Sequence, residues 1–247
     1  MKKAALLLLL CLAITVANAQ IIDGQIDRQT MNWNVAMQYL PTNQITSGIL
    51  YNKVVTFSNL YTFNRAEYNT ADYGMFTQSI SELYRASEQT KFISSEALKA
   101  IVENPTTRNT INIGIINTSF QFLNYNETTP SDGGLLYQNG VFTSLPNKPA
   151  FLSKKVLICT PLKKYSVGNT VQFQMNSNLI FNNATPALKN LTLTFEDGSS
   201  FNAINNGTIA TNSFSKSYSN GGTKTITFVA TFTDNSTTTT YGSFEVF

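Results

Sequence analysis

Few side chains in this 247-residue sequence are placed to do chemistry. Ser213-Phe-Ser-Lys216 has the S-x-x-K spacing, which on a helix stacks an amine over a serine hydroxyl and activates it. Here the motif lies in a Ser-rich stretch between alternating apolar runs, and its companions S-D-N and K-T-G are absent, so no serine catalysis is assigned. Two carboxylates suffice for glycoside hydrolysis, and the chain has 14. Each has a simpler role in the sequence. Asp197 and Asp234 sit in turns. Glu196 neighbours Asp197 but points the other way on an extended chain. Glu82, Glu88, Glu96 and Glu103 fall at solvated helix positions, and Asp132 precedes Gly133-Gly134 in a loop. Clustered turns could bring Glu196, Asp197 and Asp234 to one calcium ion, but without D-x-D spacing the turn reading is preferred.

Histidine is absent, which removes Ser-His-Asp and Cys-His catalysis and His-ligated zinc or haem. Cys159 lies in the apolar run Lys155–Thr160 and reads as a buried strand residue. Neither G-x-x-x-x-G-K-[ST] nor G-x-G-x-x-G occurs. No catalytic, cofactor-binding or metal-binding residue is therefore assigned, and no cofactor is expected.

The elements that would carry these residues divide by period. Residues 72–86 read as a helix, with Phe76, Ile80, Leu83 and Tyr84 on one stripe. Ser94 or Ser95 can cap a second helix carrying Leu98, Ile101 and Val102, ended by Asn104-Pro105. Residues 31–40 fit either a strand or a helix, and 45–63 read as short extended pieces. From 106 onward strands dominate. Ile111–Ile116 is a continuous apolar run. Val171, Phe173 and Met175 alternate with glutamines. Leu191, Leu193 and Phe195, then Ile226, Phe228, Ala230 and Phe232, then Phe244 and Val246, alternate with polar residues, mainly threonine. Val229 breaks the outer set. Turn signals such as Asp197-Gly198, Asn206-Gly207 and Asp234-Asn235 separate the runs, and Gly198 is expected at positive φ. Closely spaced strands without intervening helices predict an antiparallel sandwich.

Composition agrees with a β-rich exported chain. Charged residues make up 13%, while 28 Asn and 32 Thr supply the polarity. Lys2-Lys3, an apolar run to Val16 and Ala17-Asn18-Ala19 read as a secretory signal peptide over residues 1–19, cleaved after Ala19. Removing it leaves 15 basic and 14 acidic residues, which gives no electrostatic case for nucleic acid. No other apolar segment is long enough to span a membrane as a helix.

Phe195-Glu-Asp-Gly-Ser199, Tyr218-Ser-Asn-Gly-Gly222 and Thr225–Asn235 resemble the turn, the strand approach and the long strand of a PKD-like domain, an immunoglobulin-type β-sandwich. Glu196 replaces the usual glycine of that turn, and the preceding strand lacks the tryptophan. The resemblance covers residues 165–247 and implies a spacer or presentation module without catalytic residues. Ile45-Thr-Ser-Gly-Ile-Leu-Tyr51 and Phe57-Ser-Asn-Leu-Tyr61, followed by the sandwich, resemble in layout the front part of large exported Bacteroidetes proteins, some of which carry an α/β-hydrolase further on.

The expectation is a mainly β chain: a signal peptide over 1–19, a mixed α+β N-terminal module over 20–164, and a C-terminal Ig-like or PKD-like sandwich over 165–247 that folds alone. The expected function is that of a bacterial, secreted or cell-surface, non-catalytic adhesion or binding protein with a glycan or protein partner at the cell surface. The alternative is the accessory N-terminal portion of a larger exported hydrolase whose catalytic domain lies outside this chain.

Overall fold

The computed structural model describes residues 31–54, 60, 63, 70–87, 92–103 and 110–247. The signal peptide, Glu88, Asn104-Pro105 and most of Phe57–Tyr61 lie outside the described residues. The chain is mainly β and divides into two compact units. One comprises Met1–Leu40 with Asn124–Ala150, the other Pro41–Leu123 with Phe151–Phe247.

In the smaller unit, Asn32 caps the short helix α1 (Trp33–Ala36), its Oδ1 accepting the Val35 N–H at 3.3 Å. This resolves the ambiguity of residues 31–40 toward helix. Strands β3 (Leu135–Gln138) and β4 (Val141–Ser144) form a hairpin around Asn139-Gly140, both at positive φ, which suits the twist of a two-residue turn. Tyr125 and Tyr137 pack on the buried Phe142 ring, with centroids 5.6 and 4.7 Å away.

The larger unit is built in layers. The first is a seven-stranded sheet of β1 (Thr70–Ala71), β13 (Thr237–Val246), β12 (Gly222–Phe232), β8 (Leu188–Thr194), β9 (Ser200–Asn205) and β10 (Thr208–Ile209) in that order, with β6 (Tyr165–Ser166) also on β13. The second is a four-stranded sheet in the order β11 (Ser213–Ser217), β7 (Thr170–Asn182), β2 (Thr110–Leu123), β5 (Phe151–Pro161). The alternating residues Leu191, Leu193, Phe195, Ile226, Phe228, Phe232, Phe244 and Val246 are all buried in the core between the sheets. Ile111, Ile113 and Ile115 of β2 face them from the second sheet. Gly242 of β13 allows the sheets to close: a Cβ there would lie 2.7 Å from Thr160 Cα and 2.9 Å from the Phe228 ring.

The opposite face of the four-stranded sheet is covered by helices. Ile116 and Phe120 of β2, with Val156 and Ile158 of β5, join a second core with α2 (Tyr73–Ala86) and α3 (Ser95–Val102). Asp72 caps α2 and Ser94 caps α3 through their side chains. Phe76, Ile80 and Leu83 are buried as expected, but Tyr84 faces solvent. Gly114 of β2 lets α2 approach, since a Cβ would lie 2.6 Å from Phe76 Cζ.

One expectation changes, and a second is put to a test. The stack is not purely antiparallel. β2 pairs parallel with β7, and β1 and β6 pair parallel with β13. A parallel neighbour requires a crossover, and the chain makes it by leaving β5, adding β6 to the other sheet, and returning as β7. The boundary expected at 164/165 also falls inside one compact unit. β2 and β5 lie upstream of it yet form half the strands of the second sheet. A fragment of residues 165–247 would leave β7 without β2 and open the core at Phe173 and Phe228 to water. We expect that fragment to show no cooperative thermal transition by circular dichroism while the full chain melts cooperatively; a sharp transition in the fragment would restore the boundary.

Candidate functional site

A concavity in the larger unit arises from the way one sheet edge is covered. Strand β13 has ten residues, but the two strands on its outer edge have two each. β1 pairs with Tyr241 and Gly242, and β6 with Glu245 and Val246. Ser243 and Phe244 fall in the gap between them. The Glu245 N–H donates to the Lys164 carbonyl at 3.0 Å on this edge, and main-chain groups alternate sides along a strand. The N–H and C=O of Ser243 therefore point into the same gap.

Sequence sets the walls. Asp72 ends β1 with extended dihedrals (φ −122°, ψ 178°) and turns the chain into α2, accepting the Met75 N–H at 2.8 Å on Oδ1. This brings Tyr73 and Gly74 to one side of the gap, and Lys164, just before β6, to another. Thr223, directly opposite Glu245 on β12, completes the floor with Ser243 and Phe244. The cavity encloses about 350 Å³, at the lower end of ligand-pocket sizes. It presents two carboxylates, one ammonium, two aliphatic hydroxyls and a phenol.

The cavity opens at a corner of a wider surface, the outer face of the seven-stranded sheet. Cross-strand register gives rows Ser200–Thr194–Thr227–Tyr241, Asn202–Thr192–Val229–Thr239, Asn190–Thr231–Thr237 and Thr225–Ser243. Thr192 donates to Asn202 Oδ1 at 3.1 Å within this array. Val229 is exposed there, as alternation requires.

The residues singled out by sequence do not converge. Ser213 and Lys216 lie on strand β11, where a spacing of three places them on opposite faces. Lys216 instead turns toward the Asp197 turn: its Nζ donates to Asp197 Oδ2 and, at 2.7 Å, to Ser199 Oγ, and it sits 5.4 Å over the Phe195 ring. Glu196 caps the Thr225 N–H at 3.0 Å. Asp234 accepts from Ser236 in the β12–β13 turn. The pairing of β8 with β12 puts the Asp197 turn beyond Thr194 and the Asp234 turn beyond Phe232, at opposite ends of the sheet. Glu196 lies level with Thr225, nine residues from Asp234, and at about 3.3 Å per residue the two ends lie roughly 30 Å apart, so the three acids cannot share an ion. Among the described residues no three acidic or cysteine side chains gather as a metal site. Cys159 is fully buried, and burial pushes its thiol well above the ordinary value. Asp132 ends a 3-10 turn. Glu96, in the first turn of α3, and Glu103, at its C-terminal end, are in solvent, but Glu82, expected to be solvated, is buried and accepts the Tyr51 hydroxyl at 2.5 Å.

Sequence reasoning missed Lys164, Thr223, Ser243 and Glu245 as a group, because two-residue strands carry no periodic signal. No protein-family model matches the chain, and a search of curated proteins finds no match.

The Asp197 latch has a measurable consequence. Hydrogen bonds from Lys216, then from Ser199, hold its carboxyl well below the ordinary carboxylate range. A depressed folded-state pKa contributes stability that is present above the ordinary value and is lost as pH falls from there toward the lower folded-state pKa. Replacing Asp197 by Asn should therefore lower the melting temperature at neutral pH and flatten its fall between about pH 5 and pH 3. An unchanged acid profile would mean the latch carries no stability.

Proposed function

We propose that this chain is an exported, non-catalytic surface or adhesion protein that binds neutral polysaccharide on the outer face of its seven-stranded sheet, carried on a PKD-like, immunoglobulin-type framework. One observation supports this most: the outer face presents an array of threonine, serine and asparagine side chains in register across four strands, with charged side chains at its margins, Lys189 in the β8 bulge, Glu196 beside Thr225 and Glu245 at the corner. Neutral hydroxyls and amides both donate and accept, which matches the groups of an uncharged glycan. Tyr241 offers a ring in the same rows. A protein partner is favoured by clustered aromatic and arginine anchors, and these rows hold one aromatic and no arginine. The framework reading rests on two sheets sharing one core and on the Asp197-Gly198-Ser199 turn, in which Gly198 takes φ +80° and Asp197 bonds the Ser199 N–H at 3.1 Å.

Export rests on the N-terminal sequence and is tested separately. Mass spectrometry of protein secreted from its host should find Gln20 as the first residue, and an exported form retaining Met1 would refute cleavage. For binding, isothermal titration with soluble glucan, xylan and mannan oligomers should detect at least one ligand. Thr227→Glu and Thr192→Glu, which place carboxylates in the middle of the array, should weaken it roughly tenfold or more without lowering the melting temperature. No binding to any neutral glycan, or binding that ignores both substitutions, would overturn the proposal.

A further inference from the structure

The corner cavity differs from the array in charge. The array is neutral, whereas the cavity sets Asp72 and Glu245 against the single ammonium of Lys164. These groups are not spent on one another. Asp72 uses Oδ1 on the α2 N-terminus, while its Oδ2, the Glu245 carboxylate and the Lys164 ammonium make no hydrogen bond or ion pair among the described residues. Thr223 and Ser243 add hydroxyls on the floor, and the half-buried Tyr73 adds a ring to the wall.

Taken with the glycan reading, on which it rests, we infer that this cavity is a subsite for an amino sugar, whose protonated amine lies between Asp72 Oδ2 and Glu245. The excess negative charge favours a cation over a neutral or acidic group. The hydroxyls and the aromatic wall suit a sugar ring rather than a bare metal ion, which would demand more oxygen ligands than two carboxylates supply. Because Thr223 and Ser243 belong to the outer face itself, a chain lying along the array can place one residue in the cavity without leaving the sheet. Lys164 then limits selectivity, since its charge opposes the amine.

Three hexamers with the same β-1,4 linkage separate the possibilities: glucose, N-acetylglucosamine and glucosamine, each titrated into the full chain at one moderate salt concentration. The glucosamine hexamer should bind about five- to tenfold tighter than the glucose hexamer, the scale of one partly enclosed ammonium–carboxylate contact. Glu245→Gln should bring that ratio toward one. Asp72→Ser should do the same while keeping a helix-capping hydroxyl. Lys164→Gln should raise the ratio. Equal binding of the glucose and glucosamine hexamers, or preference for the N-acetylated one, would overturn the subsite and leave the neutral array standing. Binding of the glucosamine hexamer alone, with the xylan and mannan oligomers also failing, would keep the subsite and overturn the array. Failure of all three would overturn the subsite, and failure of the xylan and mannan oligomers as well would overturn the array.

Discussion

Strand β2 is buried on both faces along most of its length, and the larger unit is arranged around that requirement. Its odd-numbered isoleucines, 111, 113 and 115, complete the core between the sheets, while Ile116 and Phe120 complete the core beneath the helices. A strand with two apolar faces must be covered on both sides and paired on both edges. β5 and β7 supply the edges, the seven-stranded sheet one face and α2 with α3 the other. Two amide side chains on β2 are tied down. Asn117 Nδ2 donates to Asn182 at 2.6 Å, and Gln121 clamps Ser47 and Thr46 of the covering segment.

Sharing one layer between two cores has a geometric consequence in β7. Its first half sends Val171, Phe173 and Met175 toward the sheet–sheet core, and its second half sends Leu179 and Phe181 toward the helices. Between them, two steps along β2 oppose five along β7, and an odd excess reverses which face each residue meets. Asn176 stabilises the irregularity by accepting the Asn178 N–H at 3.0 Å. The same economy shapes the opposite edge. β13 is flanked by two short parallel strands at Tyr241–Gly242 and Glu245–Val246, and the cavity opens between them at Ser243 and Phe244.

Much of this was legible in the sequence, and the limits follow from what periodicity reports. Alternation at 191–195, 226–232 and 244–246 identified the inward residues correctly, because a strand with one wet face leaves a period-two trace. Apolar residues three and four apart located both helices, the second with a serine cap at Ser94 or Ser95. Periodicity gives the face of a strand but not its partner, so the pairing of β2 with β7 across a compact unit could not be read. Glu82 looked solvated because nothing local marks the approach of Tyr51, 31 residues away. The hairpin at Asn139-Gly140 carried a clear turn signal between short apolar runs, and attention to it would have found the excursion of residues 124–150. The candidate site lay beyond reach for a different reason: its residues come from four separate stretches whose meeting depends on two strands of two residues each.

The central claim is that both cores of the larger unit hang on one strand and form one cooperative structure. Native-state hydrogen exchange tests it most directly. The amides of Ile113–Phe120 in β2 should be among the slowest to exchange, with the same opening free energy and denaturant dependence as those of Ile226–Phe232 in β12. Protection of β12 persisting after β2 has opened in a separate, smaller transition would contradict the account and divide the unit into independent modules.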